Sequence, residues 1–342
     1  MMGSRRRHTR EVRQGAAPMS RLDPIELTRR LIEVPSPTGA EGEIGRFLVP
    51  VLEEIGLAVT VQPVGPDRFN LLAVASEAPE VTLCTHIDVV PPHLPLREDE
   101  THLYGRGACD TKGILAAMLA AAADLVDAGV DHFGLLLVVG EEVDSAGARA
   151  ANERADGSSR FIVVGEPTGS RFARGQKGAF KADLTVQGRA AHSAYPERGE
   201  SAVLKMLPVL DDLLAADWGT HDVYGPGTFN IGELHAGVRA NIIPGEAVAS
   251  VLVRVVDSAA ETQARLAALV AGRAEMRVTH ANDPQELYVP PGSDETVVAF
   301  NTDIPSLPCF GTPLLFGPGS ILDAHGAGEK ITKADILEAV VT

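Results

Sequence analysis

Cysteine is scarce in this sequence. Its three cysteines, Cys84, Cys109 and Cys309, are odd in number and never in CxxC spacing, so no disulfide framework is expected and the chain reads as one for a reducing cytoplasm. Positive charge is short as well. Thirty Lys and Arg stand against 46 Asp and Glu, a formal net charge of −16. Phosphate binding needs a basic face, so no nucleic-acid partner is expected, and the acidic balance leans toward a cationic ligand. No apolar run reaches the ~18 residues of a membrane span, so no membrane partner is expected. The opening MMGSRRRHTREVRQGAAPMS lacks the apolar core of a secretory signal. Residues 1–18 are read as a disordered basic arm or a misassigned start, with Met19 as the natural start.

What is present is a 342-residue chain that is 45% apolar, enough for one large or two medium domains. Asp23-Pro24 predicts a helix start, with Pro35 and Pro37 stopping that helix. Thr38-x-x-Glu41 reads as a capping box for a second helix ending at Gly56. LAVTV, FNLLAVA and VTLCTHIDVV then predict strands. An alanine-rich helix follows and stops at Gly129. After it come GLLLVVG, a short helix near Gly147 to Ala151, and FIVVGEP. Strands apolar on both faces and alternating with helices predict an α/β sheet covered on both sides. Near Lys177 the texture changes. AFKADLTVQG, TFNIGELHAG and EAVASVLVRVV alternate apolar and polar, with helical stretches near 202–214 and 260–271, and predict a small α+β domain inserted into the first. TPLLFGPG and KADILEAVV return to the main sheet. The expected boundaries are 19–176 and 283–342 for the main domain and 177–282 for the insertion.

Charged residues punctuate the apolar runs. His86 and Asp88 close VTLCTHIDVV; if the strand continues, they share one face. Asp110 lies in YGRGACDTKG, Glu141 and Glu142 in VVGEEVDSAG, Glu166 in VVGEPTG and His325 in FGPGSILDAH. A single such residue is ordinarily a hydrogen-bonded histidine or a helix cap. Their recurrence at successive strand ends is harder to assign that way, because ligands gather at the carboxyl ends of strands in open α/β sheets. Uncompensated, these carboxylates would repel one another, and two histidines with several carboxylates suit zinc, cobalt or manganese. GRGACDTKG lacks the GxxxxGK[ST] of a phosphate loop, and FGPGS is not a GxSxG elbow. The cysteines read as packing residues.

Together these segments, with GRAAHSAYPERG and RANIIPG, resemble the dinuclear-zinc amidohydrolase and exopeptidase family, which includes acetylornithine deacetylase, succinyl-diaminopimelate desuccinylase, aminoacylase and carboxypeptidase G. The resemblance runs in order from Leu22 to about Val340. It implies a zinc-exopeptidase-like domain with a mixed sheet between helices, and a ferredoxin-like inserted domain serving as lid and homodimer interface. It implies that His86, Asp110 and Glu166 hold one Zn2+ (Co2+ or Mn2+ in its place) and that Asp110, Glu142 and His325 hold a second. Asp88 would accept the His86 N–H, Glu141 would act as general acid and base, and the Asp110–Thr111 peptide would be cis. His192 would reach a partner subunit's site; its alternative is a turn histidine capping the following helix. Arg254, Asn241, Lys177 and Gly319 match substrate-binding positions, with Gly317 also allowing close backbone approach; Arg254 has a salt bridge across the small sheet as its alternative. Three departures stand out: a short loop after Pro92, too few residues between Gly292 and Thr312 for the expected helical layer, and a short last helix.

The implied function is hydrolysis of an N-acyl amino acid, with acetylornithine deacetylase the leading expectation. Desuccinylase, N-acetyl-lysine deacetylase and di- or carboxypeptidase activities follow, then a non-catalytic amino-acid-binding homologue.

Overall fold

In the computed structural model, which describes residues 21–342, Asp23 caps the first helix: its side chain accepts from the N–H groups of Ile25 and Glu26, and α1 runs Pro24–Glu33. The reading of residues 1–18 lies outside the described residues. Helix α2, Gly42–Ile55, ends at Gly56 in the left-handed region. The capping box does not form, because both of its members have stronger partners. Glu41 accepts from Arg68 Nε and Nη2 at 2.8 and 2.7 Å, and Thr38 Oγ1 donates to Asp88 at 2.7 Å. Charge-assisted bonds of this kind outcompete a backbone cap.

Strands β1 (Ala58–Gly65) and β2 (Arg68–Val74) form an antiparallel hairpin. Strand β3 (Val81–His86) stops earlier than its apolar run suggests. Beyond it, Val89 N–H donates to Ser36 O at 2.9 Å, and the chain leaves the sheet for the segment preceding α2. Asp88 is therefore outside the strand, and the shared-face argument does not apply to it. Helix α3 (Gly113–Asp127), β4 (Phe133–Val138), α4 (Ala146–Asn152) and β5 (Phe161–Val164) follow.

The alternating segments then build a separate layer pair. Strand β6 (Gly178–Gln187), α5 (Ala202–Ala215), β7 (Thr228–Ala236), β8 (Glu246–Val255), α6 (Ala259–Val270) and β9 (Glu275–Asn282) run in βαββαβ order. The antiparallel sheet order is β7-β8-β6-β9, a ferredoxin-like arrangement. Phe180, Leu184, Val251 and Val253 point to the face covered by Met206, Leu210 and Leu213 of α5 and Leu266 of α6. Strand residues alternate faces, so Ala179, Lys181, Leu252 and Arg254 point the other way.

Strand β10 (Thr312–Leu315) then returns to pair parallel with β5, and α7 (Lys333–Val340) follows. The main sheet has the order β1-β2-β4-β3-β5-β10, mixed as expected. Every residue of β4 is buried. Leu135 and Leu137 meet α1, α2 and α3 residues such as Leu31, Leu48 and Leu119 on one face; Leu136 and Val138 meet Ala148, Ala151 and Leu315 on the other. Between Gly292 and Thr312 there is a strand at Glu295–Val298 and two short 3-10 turns, with no α-helix. An apolar cavity of about 530 Å³ opens beside β5, β10 and α3, lined by Val163, Leu314, Ile114 and Met118.

Leu119 is fully buried in the larger core. Leu119→Ala is expected to lower the unfolding free energy by ~2–5 kcal/mol, as core truncations of this kind do. Urea unfolding followed by circular dichroism checks it; a loss below ~1 kcal/mol would contradict this packing.

Candidate metal centre

Strands β3, β4, β5 and β10 are mutually parallel, so their carboxyl ends lie along one edge. His86 is the last residue of β3. Glu141 and Glu142 sit in the turn after β4, which Gly140 enters at φ 84°. Glu166 lies just beyond β5. Asp110 comes from a separate five-residue π-turn, Ala108–Lys112, and its peptide bond to Thr111 is cis. His325 follows β10 at φ 59°.

These side chains converge around Asp110. Its Oδ1 is 3.0 Å from His86 Nε2, and its Oδ2 is 3.2 Å from His325 Nε2. On one side, His86 Nε2 is also 3.9 Å from Glu166 Oε1. On the other, His325 Nε2 is 3.1 Å from Glu142 Oε2. One ligand atom each from His86, Asp110 and Glu142 lie within 4.8 Å of one another, and the same holds for His86, Glu141 and Glu166. Asp110, His86 and Glu166 are buried, Glu141 and Glu142 half-buried and His325 exposed.

The Asp88 carbonyl oxygen lies 2.9 Å from His86 Nδ1. A carbonyl can only accept, so Nδ1 carries the proton and Nε2 faces the cluster. Asp88 accepts through its backbone carbonyl, while its nearest carboxylate oxygen stands at 3.6 Å. The Asp88 carboxylate has another task. It accepts from the backbone N–H groups of Gly140, Glu141 and Glu142 at 2.9, 3.2 and 3.3 Å, and so pins the turn that carries both glutamates.

Charge at the cluster is unbalanced. Burial pushes Glu141 and Glu166 well above the usual carboxylate range. Burial also raises Asp110, but hydrogen bonds from His325 and His86 outweigh it and hold that carboxyl well below its usual range. His325 is raised to about 10 by its bonds to Asp110 and Glu142. The two histidines, as donors to Asp110, offset part of the carboxylate charge; a bound cation would take the place of their Nε2 protons and offset more of it. Two imidazoles and several carboxylates fit zinc, cobalt or manganese.

The cluster forms one wall of a cavity of about 360 Å³. The β6 and β8 face supplies the opposite wall with Lys181, Arg254 and Leu252, and β9 adds His280. Arg254 makes no ion pair among the described residues, so the cross-sheet salt bridge is not formed. Other expected substrate residues lie elsewhere. Lys177 donates to Pro226 O at 2.5 Å. Gly319 packs against Cys109, where a Cβ would come within 2.7 Å of the sulfur, and lines a different cavity. Gly317 approaches the Glu166 carbonyl. His192 and Asn241 are exposed and neighbour each other, through the His192–Ile242 pairing and the Ser193 N–H to Asn241 O bond at 3.0 Å, but neither lines this cavity. His192 does not cap α5; Ser201 does.

Sequence reasoning passed over Lys181, His280, Asp303 and Glu329. Asp303 is buried, one of its oxygens lacks a hydrogen-bond partner, and burial raises its carboxyl to about 6; no motif marks it. Glu329 holds the Asp110 turn. Its Oε1 accepts from the N–H groups of Cys109 and Asp110, both at 3.2 Å, and its Oε2 takes Arg106 Nη1 at 2.6 Å.

A family model described as "Peptidase dimerisation domain" matches residues 174–276. A Schizosaccharomyces pombe protein named "Peptidase M20 domain-containing protein" is 36% identical over 328 residues, covering 92% of this chain and 82% of its own. A "Probable carboxypeptidase" of Aspergillus terreus is 35% identical over 362 residues, covering 92% and 84%. Among solved structures, an "M20 family metallo-carboxypeptidase" of Sulfolobus solfataricus superposes with a TM-score of 0.76 at 16% identity, covering 93% of this chain and 97% of that one, a likeness of fold.

Arg106 and Glu329 are both almost fully buried. Glu329→Ala leaves the guanidinium without its carboxylate and is expected to cost ~3–5 kcal/mol of stability, with a smaller loss for Glu329→Gln. Chemical unfolding of both variants checks the order; equal losses would contradict it.

Proposed function

The chain belongs to the M20 peptidase family, and from that premise we propose that it is a two-metal hydrolase cutting the amide bond beside a free carboxylate, a carboxypeptidase-type activity. The observation that carries the reading is Asp110, whose two oxygens face His86 on one side and His325 on the other. His86, Asp110 and Glu166 would hold one zinc, and Asp110, Glu142 and His325 the second, with cobalt or manganese able to substitute. Bound there, the metals would polarise the scissile carbonyl and make water nucleophilic near neutral pH.

The chain's own residues would do the rest. Glu141 faces the His86 and Glu166 side, and burial raises its proton affinity. That suits a group taking a proton from the attacking water and handing it to the departing amine. Asp88 would keep His86 in one tautomer through its carbonyl and hold Glu141 in reach through its carboxylate. Arg254, on the opposite wall without an ion-pair partner among the described residues, would grip the substrate's carboxylate. The dimerisation-domain match supports a homodimer formed through the inserted unit, with exposed His192 and Asn241 offered to the partner's site and His192 stabilising the developing oxyanion.

Release of acetate from N-acetyl-L-ornithine would use the same groups. The names of the relatives support a peptide substrate instead, and the cationic wall supports an anionic one. Zinc-loaded protein should release the last residue of acidic dipeptides faster than ornithine from N-acetyl-L-ornithine, and a chelator should abolish both. Ornithine release as the faster reaction would restore the deacetylase reading.

Glu141→Ala is expected to retain its metal and lose at least ~100-fold in kcat, the usual share of a positioned acid/base. Glu142→Ala or His325→Ala should instead lower metal content. Atomic emission beside steady-state kinetics separates the two classes; near-normal turnover in Glu141→Ala would contradict its role.

A further inference from the structure

The wall facing the metal ligands is more cationic than a single carboxylate requires. Lys181 pairs directly with Leu252 on one side and His280 on the other, and Arg254 pairs with Ala179. Lys181 and Arg254 are thus a diagonal pair on neighbouring strands, with Cα atoms about 7–8 Å apart. Both point away from the helices and line the same cavity. Neither makes an ion pair among the described residues. Among the described residues the Lys181 ammonium donates one long hydrogen bond, 3.4 Å, to the carbonyl of exposed Val143. Asp144, the acid lining the cavity outside the cluster around Asp110, lies 3.6 Å from Arg149. Two cations on neighbouring strands that form no ion pair among the described residues, with Glu141 acting on Arg254 only at a distance across the cavity, can take two carboxylates of one small molecule.

Building on the proposed hydrolysis, we infer that Lys181 is a specificity residue for a second anionic group, so that the preferred leaving residue is an acidic amino acid. Arg254 takes its α-carboxylate and Lys181 its side-chain carboxylate. Half-buried His280 flanks Lys181, and its Nε2 is 2.7 Å from Asn282 Oδ1, which holds the ring at the edge of the subsite. An ammonium suits this position: it is a point charge on a flexible stem, able to reach carboxylates at the ends of side chains of different length. The alternative is a lysine that only offsets the charge of the metal ligands. Such a lysine would affect every substrate alike, so the comparison of isosteres separates the two.

The test compares Ala-Glu with Ala-Gln, which differ in charge and hardly in shape. For the zinc-loaded wild type, kcat/KM should favour Ala-Glu by at least ~10-fold, and in Lys181→Met the ratio should fall to about one. Equilibrium binding of L-glutamate and L-glutamine to both proteins reads the same subsite without turnover. A wild-type preference for L-glutamate that Lys181→Met removes would support the inference even if neither dipeptide were cut, a result that would refute the hydrolysis reading alone. Turnover of both dipeptides with no preference, or a preference that survives Lys181→Met, would overturn the inference and leave the hydrolysis reading standing.

Discussion

The carboxylate of Asp110, held between two imidazole nitrogens, is the contact on which the rest of the site depends. It draws His86 from the end of β3 and His325 from beyond β10 to opposite sides of one group. Four acidic side chains and two histidines then share a small, partly buried volume. Close like charges at low dielectric are costly. That cost favours the protonated forms of Glu141 and Glu166, which burial pushes up, and the histidines offset part of it. A bound dication would meet it more fully, and His86 lies close enough to Asp110 and Glu142, and to Glu141 and Glu166, to share one with them.

Precision at Asp110 depends on groups that never face the substrate. Glu329 holds the backbone of the Asp110 turn and is itself fixed by buried Arg106. Thr111 Oγ1 donates to His86 O at 2.8 Å and joins the turn to β3. Asp88 links the His86 ring to the turn bearing Glu141 and Glu142. A cluster assembled from three strand ends, the Asp110 turn and the loop after β10 needs such ties, because an error of a few tenths of an ångström in any one would misplace the others. The inserted unit supplies the second wall, so the carboxylate–histidine cluster and the cationic face lie on separate sheets that meet at the cavity.

Much of this was legible in the sequence because strand ends are legible. Apolar runs closed by His86, Glu141-Glu142 and Glu166 locate β3, β4 and β5, and parallel pairing brings their ends together. Period-two alternation marks β6 and β8 as half-covered strands. What the pattern could not convey is what the uncovered face meets, so nothing in it sets Lys181 apart from other polar positions. It also could not show where β3 leaves the sheet, which decides that Asp88 offers its carbonyl to His86 and draws Thr38 away from a helix cap. Glu329 lies 219 positions from Asp110, and no local signal links them. Lys177 and Gly319 rest on resemblance alone, and neither lines this cavity.

The most direct test of the account is diffraction at the zinc absorption edge from crystals of the zinc-loaded protein. The account predicts two anomalous peaks, one on each side of the Asp110 carboxylate, each about 2.0–2.2 Å from one of its oxygens. A single peak away from Asp110, or none, would contradict it.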